Sequence, residues 1–360
     1  MNYEEFKENL AQDVKQQLEA GTIGPVDVDF NEVNKVNTSY EAMTIKPQGE
    51  NIGVNINVGQ LYESYQETGD YNAAFENATK FAEKGLNDRS GIDVSAISDY
   101  EAMKEKLSME VISKDTNADI LQNVPHEDME DMAVVYRLVL DSDSVGRSSI
   151  LVTNKMLDNY GISADQLHAD AMENAPVVRP AQIKGMSEVL YELMGADASA
   201  IGIPQIDPKD EQMFVATVPD KTGGAGVLAY PNFMEDAAEK IGGSYYVLPS
   251  SLHEVILVPD DGRMTSTELE AMVKEVNATQ VQPEDKLTDH VYHYDADEHV
   301  FEMAEKFEAR QQAKDEISEG EHEQGSVLQD LKDAKKEIAS KPQEVKAPGK
   351  DEKSKGGMAI

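Results

Sequence analysis

The sequence predicts an α+β protein: antiparallel sheets built from ββα units, with helices packed on one face, followed by a disordered charged tail. Three observations lead there. Apolar residues recur at intervals of four in some segments and of two in others, so helices and strands are interleaved. Gly, Asn, Asp and Ser turn signals separate neighbouring strands, which favours hairpins over long crossovers. A strand–turn–strand–helix order occurs three times between residues 133 and 276.

Residues 1–90 read as a small α+β module. Phe6, Leu10, Val14 and Leu18 form one helical stripe, stopped by Gly21, Gly24 and Pro25. Val26–Ile45 reads as two strands around Asn37–Ser39. Asn51–Val58 alternates, with Ile52, Val54, Ile56 and Val58 on one face, as a half-buried strand does. Leu61–Tyr65 and Tyr71–Phe81 read as helices. Residues 91–130 read as a connector, with a helix around Tyr100–Leu107, a strand at Met109–Ser113 and an acidic stretch, Thr116–Glu130.

Residues 131–305 read as a second α+β domain of three ββα units. The first is Ala133–Leu140, a turn through Asp143 and Gly146, Ser149–Thr153, and a helix from Asn154. The second is Met213–Val218, a turn at Gly223–Gly226, Val227–Tyr230, and a helix at Asn232–Ile241. The third is Tyr245–Leu248, a turn at Pro249–Ser251, His253–Val258, and a helix at Ser266–Val276. Helices at Ala164–Asn174 and Lys184–Met194 lie between the first two. Residues 306–360 read as a helix extension, Phe301–Gln312, and a disordered tail. Beyond Ile317 large apolar residues are too few to offset the entropy of ordering. Val327–Ile338 holds enough apolar positions to fold as a helix on a partner, or it is a transiently helical linker.

Composition bounds the function. The 360 residues include no Cys and no Trp, but 16 Met. Disulfides, zinc–thiolate sites, iron–sulfur clusters and cysteine nucleophiles are excluded. No basic-then-apolar leader opens the chain and no apolar run is long enough for a membrane span, so a cytoplasmic location is expected. Net charge is −37, and residues 1–310 carry 58 acidic against 23 basic side chains. Such a field repels nucleic acid and anionic membrane and attracts basic proteins. The acidic residues cluster in apparent helices: Glu4, Glu5 and Glu8; Glu127, Asp128, Glu130 and Asp131; Glu235, Asp236 and Glu239. Solubility alone accounts for such charge. A basic protein partner, or imitation of DNA phosphates, is the functional alternative.

Few residues carry recognisable chemistry. Gly223-Gly224-Ala225-Gly226 lies between two apparent strands, whereas a phosphate cradle needs a helix N-terminus directly after it, so it reads as a hairpin turn. His253-Glu254 opens like a zinc-protease motif. The second His would stand where Leu257 is, and the flank is β-like, so that reading fails. What remains is a polar group, Ser250, Ser251, His253 and Glu254, at a hairpin. It reads as turn capping, or as a binding or acid–base cluster. The Asp289–Asp295 segment holds His290, His293 and Asp295, which suit a metal. In an extended segment His290 and His293 point to opposite faces, so a strand packed by its Tyr and His residues is the competing reading. No cofactor is expected.

The stretch Tyr246-Val247-Leu248-Pro249-Ser250-Ser251-Leu252-His253-Glu254-Val255, with Glu275-Val276-Asn277, Asp289-His290-Val291-Tyr292 and the start Met1-Asn2-Tyr3-Glu4-Glu5-Phe6-Lys7, resembles an uncharacterised bacterial family found in gut Firmicutes and their mobile elements. Val152–Leu157 with Tyr160–Ser163 is similar to the YtpQ-like proteins, whose function is unassigned. The resemblance spans most of residues 1–305 and implies no activity, cofactor or catalytic residue. Three classes stay open: a non-enzymatic binding or regulatory protein with a basic protein partner, a hydrolase or metal enzyme using His253, Glu254 and Asp289–Asp295, and a housekeeping protein whose charge only solubilises it.

Overall fold

The structure, a computed structural model, describes residues 1–50, 53–88, 97–143, 146–194 and 210–317. The chain forms two compact units, Met1–Glu305 and Lys306–Ile360. In the second unit residues 306–317 are helical. The expected disordered tail, including Val327–Ile338, lies outside the described residues.

The first unit opens with α1, Tyr3–Ala20. Asn2 Oδ1 accepts the Glu5 N–H while Glu5 reaches back to the Asn2 N–H, a capping box that satisfies two orphan donors. The stripe Phe6, Leu10, Val14 and Leu18 is fully buried. A three-stranded antiparallel sheet follows: β1, Val26–Lys35; β2, Thr38–Pro47; and β3, Val54–Asn57. Helices α2, Val58–Thr68, and α3, Tyr71–Asp88, complete this module. α3 presents Ala74, Ala78 and Ala82 to the core, and Gly85 meets Val54 so closely that a Cβ there would lie 2.7 Å from a Val54 methyl. Small residues let this helix settle on β3. Ile52, expected in the third strand, lies outside the described residues, and Val58 begins α2 instead of ending the strand.

The rest of the first unit holds two more antiparallel sheets. α4 spans Tyr100–Lys104, β4 Leu107–Ser113, α5 Ala118–Leu121, β5 His126–Met129, β6 Met132–Asp143 and β7 Gly146–Leu151. β6 is flanked by β4, β5 and β7 in a four-stranded sheet. Residues 107–113 and 126–129, within the stretch expected as a connector, are strands of this sheet, and every residue of β4 is buried. The strand expected at Met109–Ser113 is the C-terminal part of β4, where Leu107, Met109 and Val111 alternate with Ser108 and Glu110. Glu127 and Asp128 lie on β5, with Glu130 and Asp131 in the turn after it, and not on a helix as expected.

Next come α6, Asn154–Tyr160; α7, Ala164–Val178; β8, Gln182–Gly185; and α8, Met186–Met194. β9, Phe214–Thr217, leads into a 3-10 helix, Gly224–Ala229, and α9, Phe233–Ile241. β10, Tyr245–Leu248, and β11, Val255–Pro259, precede α10, Ser266–Thr279. β12, Tyr292–Asp295, and β13, Val300–Met303, close the unit. The six-stranded sheet runs β13-β12-β10-β11-β9-β8. Leu269 and Val273 of α10 pack with Tyr246, Leu248 and Val258 on one side of it. Tyr245, Val247 and Leu257 on the other side share the main core with Met109, Val111 and Tyr136 of the four-stranded sheet.

The first and third expected ββα units have their elements, but in different sheets. In the second expected ββα unit the strand read at Val227–Tyr230 is instead part of the 3-10 helix Gly224–Ala229 and its cap. Phe301, expected to lead a helix, sits in β13.

Candidate functional site

The segment that joins β10 to β11, Pro249–Glu254, is laced to a second loop, 285–288. The Leu252 N–H donates to Asp285 O at 2.8 Å, Leu287 N–H to Ser250 O at 3.2 Å, and Thr288 N–H to Pro249 O at 3.3 Å. Ser251 forms an isolated β-bridge with Lys286, and its Oγ accepts the His253 N–H at 3.0 Å. Short Ser residues serve such local side-chain-to-backbone bonds well. Glu254 faces solvent.

His253 is held at both ring nitrogens. Nδ1 accepts the Gly223 N–H at 3.1 Å, so it carries no proton, and Nε2 donates to Asp285 Oδ1 at 3.0 Å. Its carbonyl accepts the Thr217 hydroxyl at 2.7 Å. The turn that presents Gly223 is itself anchored. Arg179, 4% exposed, donates from Nη2 to Asp220 Oδ1 at 2.5 Å and to the Thr222 carbonyl.

The glycines here serve close approach, not anion binding. A Cβ on Gly224 would lie 2.2 Å from both His253 O and Thr217 Oγ1, and one on Gly226 would lie 2.2 Å from Met109 O. Gly223 adopts φ +62, open to it at little steric cost. The run was expected as a flexible hairpin turn. It is a buried turn and 3-10 helix pressed between β4 and the His253 loop.

A cleft of about 230 Å³ opens beside His253. Arg137 Nε donates to Glu110 Oε2 at 2.5 Å in its wall, and Val36, from the β1–β2 hairpin, closes one side. The tip of that hairpin is Asn37, in the left-handed region at φ +61. Its N–H donates to Asn117 Oδ1 at 2.7 Å, and its Nδ2 donates to Glu284 O at 3.0 Å and Lys286 O at 2.6 Å. Its Oδ1 accepts from Thr116 Oγ1 at 2.9 Å and Asn117 Nδ2 at 2.8 Å. One side chain thus joins the N-terminal module, the residues after β4, and the 285–288 loop.

The Asp289–Asp295 residues do not converge. His290 is exposed. His293, 1% exposed, lies edge-on to Tyr246, with Nε2 bonded to Asp260 Oδ2 at 3.0 Å. Burial pushes its pKa below the ordinary value, against the opposing pull of Asp260. Asp295 caps a turn, accepting from the N–H groups of Asp297 and Glu298. Burial would raise the Asp289 carboxyl, but hydrogen bonds from Asn277 and Lys286 outweigh it and hold the pKa low. Among the described residues no group of three or more His, Asp or Glu is placed to hold a metal.

The segments highlighted in the sequence, 246–255, 275–277 and 289–292, meet around this clamp: Asn277 Nδ2 donates to Thr288 O and to Asp289 Oδ1. A family model matches residues 3–296. The chain belongs to DUF5688, a family of unknown function. The DUF5688 match takes in the N-terminal module, the four-stranded sheet and the six-stranded sheet as far as β12, leaving β13 outside. Comparison with curated proteins and with solved structures finds no match. Among the described residues no helix is long and apolar enough to cross a membrane.

Glu110, Arg137 and Asp285 were not singled out by sequence, and Asn37 was read only as part of a hairpin turn. The signal for Asn37 was present, since Asn tolerates the left-handed conformation at a hairpin tip. Its partners at 284 and 286 had no local trace.

Proposed function

We propose that this DUF5688 chain is a non-enzymatic binding protein whose acidic surface engages a basic protein. The observation that supports the first half is the commitment of His253. A general base needs a free lone pair, yet Nδ1 is occupied by Gly223 and the Nε2 proton by Asp285. Ser251 Oγ caps the His253 N–H rather than facing either ring nitrogen. The cluster works as a clamp.

The partner's charge follows from the surface. Glu4 and Glu8 on α1, and Glu235 and Glu239 on α9, are exposed one helical turn apart. With 58 acidic against 23 basic residues in 1–310, a cationic protein is steered toward this body and duplex DNA is turned away. The test is capture from host lysate, identification, and reconstitution with the purified partner at rising salt. The expected result is a basic protein whose affinity falls with salt. Salt-sensitive binding to duplex DNA, or hydrolysis of ester or phosphoester substrates that His253→Ala abolishes, would overturn the proposal.

A further inference from the structure

The N-terminal module carries a cleft of about 330 Å³ bounded by β3, α2 and α3. Asn55, Ile56 and Asn57 all line it. Successive strand residues point to opposite faces of a sheet. A cleft touched by three in a row therefore lies along the strand's edge and not over one face. β2 occupies one edge of β3, and no described strand pairs with the other. In a four-residue strand paired on one side, alternate residues turn their backbone N–H and C=O groups toward the other edge, so β3 offers two residues there as the template on which a further strand is added.

The walls suit the same occupant. Leu61 and Ala78 join Ile56 as the apolar part of the lining, and Phe81 stands over them with 57% of its surface exposed. The side-chain amides of Gln60 and Asn77 make no hydrogen bond to another described residue. Each can both donate and accept, which is what a peptide backbone requires. In so acidic a chain the lining contains no Asp or Glu. Its one charge is Lys35, stacked 5.3 Å from the Tyr40 ring centroid and in no ion pair among the described residues. Register puts this end of the cleft beyond the C-terminal end of β3, because Asn57 already pairs with Ala42.

We propose that this cleft binds an extended peptide as a fourth strand beside β3, with an apolar side chain against Phe81 and a carboxylate toward Lys35. A saccharide would use Phe81 and the amides but would leave these backbone groups unmatched. The site is separate from the acidic surface and does not rest on it.

The test starts from a random heptapeptide phage library panned on the full chain. The best sequence is made as a fluorescein-labelled peptide and titrated by fluorescence polarisation. Enriched sequences alternate apolar and polar residues and carry a carboxylate. Phe81→Asp and Lys35→Glu, both at exposed positions, each weaken binding roughly tenfold or more, as loss of a central anchor does. Leu193→Asp, exposed on α8, leaves it unchanged. Bound peptide slows hydrogen exchange in residues 53–58. Salt changes its affinity little, because screening weakens both the Lys35 contact and the repulsion by the acidic body, whereas the basic partner's affinity falls steeply; the two readings therefore fail separately. No enrichment over panning on Phe81→Asp, equal binding by both variants, or binding without protection of β3 would overturn the assignment, as would capture of oligosaccharides in preference to peptides.

Discussion

Replacing Asn37 tests the join between the N-terminal module and the rest of the first unit. Asn37→Ala deletes four side-chain hydrogen bonds, to Glu284 O, Lys286 O, Thr116 Oγ1 and Asn117 Nδ2. Two of these are exposed and contribute little. The two part-buried ones are each worth about 1 kcal/mol net, and Asn117, itself 2% exposed, loses a partner, so the bonds together account for about 2–3 kcal/mol. Placing Ala at φ +61 adds about 1 kcal/mol of backbone strain. Asn37→Gly removes the same bonds without that strain, so it is the milder change. Urea unfolding of both variants, followed by far-ultraviolet circular dichroism and by limited proteolysis, measures the difference. Asn37→Ala is expected to lose about 3–4 kcal/mol and Asn37→Gly about 1 kcal/mol less. Proteolysis should release the N-terminal module more readily in both. A loss under about 0.5 kcal/mol in Asn37→Ala, the range of an ordinary surface change, would refute the reasoning.

Three further outcomes are expected. Gly224→Ala forces a methyl to within 2.2 Å of His253 O and should cost about 1–3 kcal/mol by overpacking, measured by thermal denaturation, whereas Gly49→Ala meets no atom within 4 Å and carries only the strain of its positive φ. Stability should fall as pH drops below 6.5: His293 binds its proton less readily folded than unfolded, so the unfolded state takes up more protons in that window, and His293→Asn should flatten this part of a stability–pH curve. Glu110→Gln leaves Arg137 without its charged partner in a wall where the two side chains are 10% and 20% exposed, and should lower stability by about 2–4 kcal/mol, with partial recovery in the Glu110→Gln, Arg137→Met double variant.

Much of the fold was legible because its signals are local. The buried stripe of α1, the hairpin around Asn37 and the third ββα unit each rest on spacing and turn chemistry within about twenty residues. β5 was less legible. Its residues are mostly exposed, two of the four are acidic, and pairing with β6 holds it in the sheet, whereas the alternation in β4 was enough to read a strand at Met109–Ser113. The glycines of 223–226 looked like a turn between strands because glycine marks both turns and close contacts. Only the distances to His253 O and Met109 O separate the two.

The candidate site divides along the same line. Ser250, Ser251, His253 and Glu254 were recognised as a polar group in a hairpin, and the sequence alone also determined the α+β class, the excluded thiol chemistry and the acidic charge. Tertiary structure alone decided that His253 is committed to Gly223 and Asp285, thirty and thirty-two residues away. It also decided that Asn37 reaches across roughly 250 positions to Glu284 and Lys286. The physical reason is that an ionisable side chain's chemistry depends on which of its atoms remain free, and sheet pairing sets that by bringing distant loops together. Spacing along the chain records periodicity and turns; it does not record partners.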